Sequence, residues 1–395
     1  MAFCARILLD QLSFHRACAV LKILQICYEY PPLGGGGGQV AASLAQELAQ
    51  KEHQVDFVTM WYRGLPINKS YQGVVVHRIP CLRFNKTLCR PPEMFTYLLA
   101  ALPATHWLVK HNKFDINHTH FIYPDGIISW MIKKLRGLPY VITAHGSDVP
   151  GYNPNRFKLM HRILFPLWRR VVEDADGIVS PSESLSQLIH FHAPNKQVHI
   201  IPNGFRPGLV DFVNKKRNHI LIVTRMFERK GVQYFLRALD GLDLPFQVDV
   251  VGDGPYLPEL KKIMRGISSA DQITFHGWLE NGSQEFNRLF QQASIFVLPS
   301  AAENFPVVLL EAMAAGLAII TTRGTGCEEV VGEHAILVEP CDTAGLQKAL
   351  RNLLTNPELV DKLRKLGRQR VETRFNWSGI TDKYIDIYEK AISPI

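Results

Sequence analysis

From Lys22 onward, short apolar runs alternate with longer segments in which apolar residues recur every three to four positions, the signatures of strands and of amphipathic helices. The short runs at Ile23–Tyr28, Val55–Met60, Val74–Ile79, Ile116–His120, Tyr140–His145, Gly177–Pro181 and His199–Ile201 have strand length. Helical spacing falls on Gln39–Lys51, Gly126–Leu135, Arg156–Val172 and Glu183–Phe191, and Met94–Lys110 is a longer apolar segment. The cycle then restarts, with strands expected at His219–Thr224, Gln247–Val251, Ile273–His276, Ile295–Leu298, Ala318–Thr321 and Ala335–Val338. Strands alternating with helices predict parallel sheets covered on both faces. The fold class is therefore α/β, with two doubly wound domains facing each other across a cleft. Ligands in such sheets bind beyond the carboxyl ends of the strands, so the cleft is the expected active site.

Length and composition agree with this picture. A chain of 395 residues, 47% hydrophobic and 20% charged, has material for roughly two to three domains with real cores. The expected organisation is an N-terminal extension at 1–21, a first domain at 22–205, a linker at 206–218, a second domain at 219–375 and a C-terminal helix at 376–395. Arg6, Asp10, His15 and Arg16 interrupt Met1–Val20, which makes it a poor signal peptide. It reads as a disordered or peripheral extension. The net charge of +8 suits anionic substrates or an anionic surface. No run of lysines and arginines is dense enough for nucleic acid. The seven cysteines lack any C-x-x-C pair, which fits a reducing cytoplasm better than a disulfide framework.

The richest stretch chemically is Ser300–Gly316, S-A-A-E-N-F-P-V-V-L-L-E-A-M-A-A-G. Pro306 reads as the first residue of an apolar helix and Gly316 as its stop. Glu311 sits inside that helix, and a buried carboxylate needs a partner. Glu303 precedes it, level with the helix's free N–H groups, which attract anions. The corner thus offers an anion site flanked by two acids able to grip hydroxyls. A pairing of Glu311 with a core arginine and a surface position for Glu303 stands equally open on this stretch alone. Elsewhere, glycines 34–38 lie between a strand and a helix, where backbone approaches a ligand. Yet no acid ends a second strand about 20 residues on, as a dinucleotide fingerprint requires. His145 ends a strand and opens H-G-S-D, with Asp148 close behind. Arg225 and Lys230 converge on a strand end and a helix start, suiting a diphosphate. Asp253 and Gly254 are further candidates for the cleft wall. His118 and His120, like His190 and His192, form H-x-H pairs without the additional ligands a metal needs, so no metal site is expected. Asp174-Ala175-Asp176 precedes its strand, which assigns it to helix-end and turn chemistry.

Together these features resemble the retaining, family-4 glycosyltransferases of the GT-B fold. The resemblance rests on P-P-L-G-G-G-G-G-Q-V, I-T-A-H-G-S-D-V, I-P-N-G, T-R-M-F-E-R-K-G, V-G-D-G-P, F-H-G-W-L and, most specifically, E-N-F-P-V-V-L-L-E-A-M-A-A-G. It covers nearly everything from Lys22 onward, including N-W-S-x-I near Trp377. It implies that Glu311 holds the ribose of a nucleotide sugar and that Glu303 faces the transferred sugar. It also implies a donor site containing Asn304, Phe305, Pro306 and Val307, whose N–H groups meet sugar or phosphate. Arg225 and Lys230 would hold the diphosphate, His145 would sit over the sugar, and Gly35 and Gly36 would bring backbone against it. The last helix would cross back to the first domain. The plain run of five glycines departs from relatives that carry a bulkier residue after the first pair.

The implied reaction is transfer with retention from a UDP-, GDP- or ADP-linked sugar to a glycan, lipid-linked or small-molecule hydroxyl, without metal or cofactor. Front-face substitution assisted by the leaving phosphate is the expected route, because only Glu303 stands near the sugar. Polysaccharide or lipopolysaccharide synthesis is the expected setting. The basic helix R-F-K-L-M-H-R-I-L-F-P-L-W-R-R at 156–170 suggests contact with an anionic membrane, here the inner face of the plasma membrane. A helix packing that apolar side on the sheet is the plainer alternative, and Met94–Trp107 offers a second apolar surface. Rival readings are an epimerase or phosphorylase on the same architecture, and a non-catalytic nucleotide-sugar-binding subunit.

Overall fold

The computed structural model describes residues 20–86, 88–152, 158–205 and 216–393. In chain order the first half forms β1 (Lys22–Ile26), α1 (Gly36–Gln50), β2 (Gln54–Met60), β3 (Asn68–Tyr71), β4 (Val74–Ile79), α2 (Pro91–His111) and β5 (Ile116–His120). It continues with α3 (Asp125–Arg136), β6 (Tyr140–Thr143), α4 (Lys158–Glu173), β7 (Gly177–Ser180), α5 (Glu183–His192) and β8 (His199–Ile200). The second half forms β9 (His219–Val223), α6 (Val232–Leu239), β10 (Gln247–Val251), α7 (Leu257–Arg265), β11 (Ile273–Gly277), α8 (Gln284–Gln292) and β12 (Ile295–Leu298). There follow α9 (Val307–Ala314), β13 (Ala318–Thr322), α10 (Gly326–Val331), β14 (Ile336–Val338), α11 (Thr343–Thr355), α12 (Pro357–Arg374) and α13 (Trp377–Ile392).

The first sheet has eight strands in the order β3-β4-β2-β1-β5-β6-β7-β8, and the second has six in the order β11-β10-β9-β12-β13-β14. Every pair is parallel except β3–β4. Strand order reverses between β1 and β5 and again between β9 and β12. Chains leaving the two sides of such a point diverge and open a crevice at the strand ends. Both crevices face the same cleft, which is why the glycines after β1 meet the loops after β9 and β12.

The final helix does cross back. Its Tyr384, Ile385, Ile387 and Tyr388 are buried in the same core as β1 and α1, and Asp382 pairs with Lys51 at 2.7 Å. Where the chain leaves the first sheet, Phe205 N donates to Phe375 O at 2.6 Å.

Several expectations need correction. The helix after the glycines starts at Gly36 rather than Gln39, since glycines form the first turn yet carry no periodic signal. Pro306 caps α9 from outside, with Val307 the first helical residue. Strand β3 was hidden because its residues, N-K-S-Y, are mostly exposed at a sheet edge and so carry no apolar alternation. A hairpin through Gln72 and Gly73, both at positive φ (49° and 83°), reverses the chain into β4.

The basic helix packs part of its apolar side on the sheet, the plainer of the two alternatives. Trp168 is fully buried, its Nε1 donating to Asp148 O at 2.9 Å. Phe165 stacks on Trp168, and Phe165 and Leu164 are partly buried against the core. Trp168 therefore faces inward and Leu164 and Phe165 do so in part, whereas Leu159 and Ile163 of the same helix are 70% and 65% exposed; Arg156 and Phe157 lie outside the described residues. The expected extension at 1–21 lies almost wholly outside them too, as does most of the linker at 206–218.

Candidate active site

Two loops carry the first-domain wall. After β1, Glu29 accepts the N–H of Gly35 on Oε2 at 3.0 Å, and Gly34 N donates to Lys86 O at 2.8 Å. These bonds hold the glycine turn against the cleft. A side chain at Gly35 would collide with the Arg225 guanidinium of the opposite domain. Here glycine leaves room for that guanidinium, and its backbone angle is not the reason. After β6 comes His145, whose N–H donates to Asp148 Oδ1 at 3.0 Å; the other carboxylate oxygen accepts Ile122 N at 2.9 Å. Asp148 is buried and staples two loops together. It is a builder of the wall rather than part of it.

The His145 ring packs 4.5 Å from that of Phe121, and burial pushes its pKa down to about 3. Behind it, His120 Nδ1 lies 3.1 Å from His145 Nε2. His118 is bonded to Thr143 Oγ1 at 2.8 Å and to the hydroxyl of Tyr388 at 2.7 Å. The H-x-H pair is thus engaged inside the first domain. Asp174 and Asp176 serve helix-end chemistry, holding Trp130, Lys133 and Lys134.

The second-domain wall comes from the ends of β9 and β12. Arg225 follows β9 and has no carboxylate partner among the described residues. Lys230 ends a single 3₁₀ turn, Glu228–Lys230, and is ion-paired with Glu303. Their side chains are 12% and 11% exposed, so each is the other's neutralising charge and Glu303 is no surface acid. The Glu303 loop is fixed at both ends, by Ala301 N donating to Arg229 O at 2.8 Å and Gly326 N donating to Glu303 O at 3.0 Å. Ser182 Oγ of the first domain donates to Asn304 Oδ1, and Asn203 Nδ2 to Phe305 O at 3.5 Å. Glu311, one turn inside α9, is partly exposed on the cleft wall and has no partner among the described residues. Burial raises its carboxyl to about 7.

The expected residues Gly35, Gly36, His145, Arg225, Lys230, Glu303, Asn304, Phe305, Pro306, Val307 and Glu311 all line one cleft of about 970 Å³. Asp253 and Gly254 do not; Asp253 instead folds onto its own turn, its Oδ1 accepting Gly254 N at 2.7 Å. Glu29, Tyr152, Arg229 and Trp278 are among the further residues that line the cleft without having been singled out in the sequence. Arg229 lay within T-R-M-F-E-R-K-G and Trp278 within F-H-G-W-L, so their signals were present. Glu29 and Tyr152 had none, because only the turns of the chain bring them to the strand ends.

Chemically, the cleft offers three cations on one wall, two carboxylates beside them, and the N-termini of α1 and α9. That set suits a ligand with a diphosphate and several hydroxyls. Comparison with known proteins identifies the family. The family described as Glycosyltransferase Family 4 matches residues 34–208, and the one described as Glycosyl transferases group 1 matches residues 211–370. The N-acetyl-alpha-D-glucosaminyl L-malate synthase of Bacillus anthracis is 28% identical over 390 residues, covering 93% of this chain and 96% of its own. Sucrose-phosphate synthase of Thermosynechococcus elongatus has a similar fold, with a TM-score of 0.81 at 22% identity over 94% of this chain and 98% of that one. So does Anabaena HepE, solved with UDP-glucose, with a TM-score of 0.72 at 14% identity over 94% of this chain and all of that one. With both domains matched in order and the strand-end residues converging on one cleft, the chain belongs to the family-4, group 1 glycosyltransferases of the GT-B fold.

Proposed function

We propose that the protein transfers a sugar from a nucleotide-diphosphate sugar to an acceptor hydroxyl, with retention at the anomeric carbon and without a metal ion or cofactor. The observation carrying this reading is the grouping of Arg225, Lys230 and Glu303 directly across the cleft from Gly35 and His145. Breaking the bond from C1 to phosphate develops negative charge on the diphosphate and positive charge on the sugar ring. Arg225 and the N–H groups opening α9 are placed to meet the former without reorganising, and Lys230 joins them on leaving Glu303, so that these groups serve in place of a divalent ion. The acceptor oxygen bonds to C1 on the face the phosphate leaves, and its proton passes to a leaving-phosphate oxygen. Glu303 faces the sugar, and Glu311 accepts from the ribose hydroxyls.

The Lys230–Glu303 pair adds a condition. When the diphosphate takes Lys230, Glu303 is released toward the sugar, so donor binding and carboxylate placement are one event. Thermal-shift titration with UDP-, GDP- and ADP-sugars identifies the donor, and the anomer of the product tests retention. Lys230→Ala strands a buried carboxylate, so the double variant Lys230→Ala/Glu303→Ala is the cleaner probe. It is expected to fold and to lose transfer in buffer containing EDTA, where the wild type stays active. Full activity in the double variant would sink the scheme.

We also propose that the protein brings its acceptor side to an anionic membrane surface, through α2. Phe95, Leu99 and Trp107 form a stripe on the outer face of α2 and are 60%, 59% and 61% exposed; Phe84 beside it is 71% exposed. From 81 to 114 the sole carboxylate is Glu93, buried and bonded to the N–H groups of Phe84 and Arg90. Lys86, Arg90, Lys110 and Lys113 are exposed around the stripe, and each cation near an anionic surface adds about 1 kcal/mol. No helix among the described residues is long and apolar enough to cross a membrane. Co-sedimentation should occur with vesicles rich in phosphatidylglycerol, weaken with salt, and fall sharply in Phe95→Ser/Leu99→Ser/Trp107→Ser. Equal recovery with neutral vesicles, or no loss in the triple variant, would overturn it.

A further inference from the structure

We infer that His120 is a positioning residue that fixes the tautomer of His145, so that His145 meets the donor sugar through a hydrogen-bond-donating Nδ1. Its catalytic consequence rests on the reading of His145 as a sugar contact; the tautomer does not.

The inference is a count of protons. Burial drives His118 and His145 down to about 3 and His120 well below its ordinary value, so all three rings are neutral at pH 7. Each neutral imidazole has one N–H and one bare nitrogen. Across the 3.1 Å contact between His120 Nδ1 and His145 Nε2 there is room for one proton. The other nitrogen of His120, Nε2, is buried without a hydrogen-bond partner. A proton there would bury an unsatisfied N–H, whereas a proton on Nδ1 leaves only an unused lone pair. Orphaned buried N–H groups are the rarer defect. His120 therefore donates from Nδ1, His145 Nε2 accepts, and the His145 proton is left on Nδ1.

The arrangement is rigid on the side away from the cleft. The His120 ring lies 4.3 Å from that of His118, and Tyr388 on α13 and Thr143 on β6 hold the two nitrogens of His118. His145 Nδ1 has no hydrogen-bond partner among the described residues, and the ring lines the cleft wall. A neutral donor there can hold a sugar hydroxyl without setting a cation against the positive charge that develops on the ring.

Two measurements on the full-length protein test this. Long-range proton–nitrogen correlation of ¹⁵N-histidine protein without donor, assigned with His145→Ala, should show His145 protonated on Nδ1 and bare on Nε2. Transfer by His120→Leu should fall roughly tenfold to a hundredfold in kcat/KM, the scale of a misplaced contact group. His120→Asn, which keeps an N–H at the δ position, should recover to within about threefold of wild type, whereas His120→Gln should not. An Nε2 proton on His145 in the wild type, or Asn no better than Leu, overturns the inference. Should His145 not touch the sugar, the activity of His145→Ala will say so while the spectrum still reports the tautomer.

Discussion

At the scale of single residues, Glu311 is the most informative group in the cleft. Its carboxyl is raised by burial from an ordinary 4.5 to about 7. On the proposed reading, ribose hydroxyls donate to the ionised form, so binding draws the pKa back down. Affinity for a nucleotide sugar, whose diphosphate does not itself titrate there, should therefore rise with pH up to about 7 and then level off. Below 7 each unit should cost up to about tenfold. Glu311→Gln should bind more weakly and flatten the profile in calorimetric titration; an unchanged slope would dissociate Glu311 from the donor. Stability runs in the opposite direction with pH. Between about 4.5 and 7 the folded chain holds a proton that the unfolded chain has released, so this group's contribution weakens as pH rises through that window. The sequence displayed the conflict, an acid inside an apolar helix. Only the fold resolved it: no core arginine pairs with Glu311 among the described residues, and the side chain lines the cleft instead.

At the scale of elements, turns do most of the positioning. Gly231 separates the 3₁₀ turn bearing Lys230 from α6, at φ 72°, and a Cβ there would collide with Pro299 O. Left-handed backbone at a non-glycine residue costs about 1–3 kcal/mol before any clash is counted. Gly231→Ala should lower the unfolding temperature by roughly 2–4 °C per kcal/mol lost, read by calorimetry, and should weaken donor binding because Lys230 shifts with the turn. An unchanged unfolding temperature would mean the turn relaxes freely. Elements of this kind were legible in sequence when their cue was periodic: β2, β5, β10, β12 and β13 fall within a residue of expectation. The first turn of α1 and the whole of β3 were not, since a glycine run has no periodicity and an exposed edge strand has no apolar face.

At the scale of the whole molecule, the two domains are joined beside the cleft as well as through α13. Glu329 on α10 of the second domain accepts the N–H groups of Glu183 and Ser184, at 2.7 and 3.1 Å, at the start of α5 in the first. A carboxylate at a helix N-terminus adds about 0.3–1 kcal/mol, enough to bias domain closure without locking it. Glu329→Ala should speed hydrogen exchange at those two amides and raise the donor KM a few-fold while leaving global unfolding within about 1 kcal/mol. Unaltered exchange would mean the contact has no part in closure. Such contacts join residues about 145 positions apart, and no local pattern encodes them. By itself the sequence determined the alternation of strands and helices, the two doubly wound sheets, and the strand-end residues from Gly35 to Glu311. Those follow from periodicity and from residue types that strands, turns and helix starts require. The tertiary structure alone decided that Lys230 and Glu303 are partners, that Trp168 faces the core while Phe95, Leu99 and Trp107 face outward, and that His120 stands behind His145. Each of these depends on which side of an element a neighbour packs, and that is settled only when the sheets, their helices and the returning α13 come together.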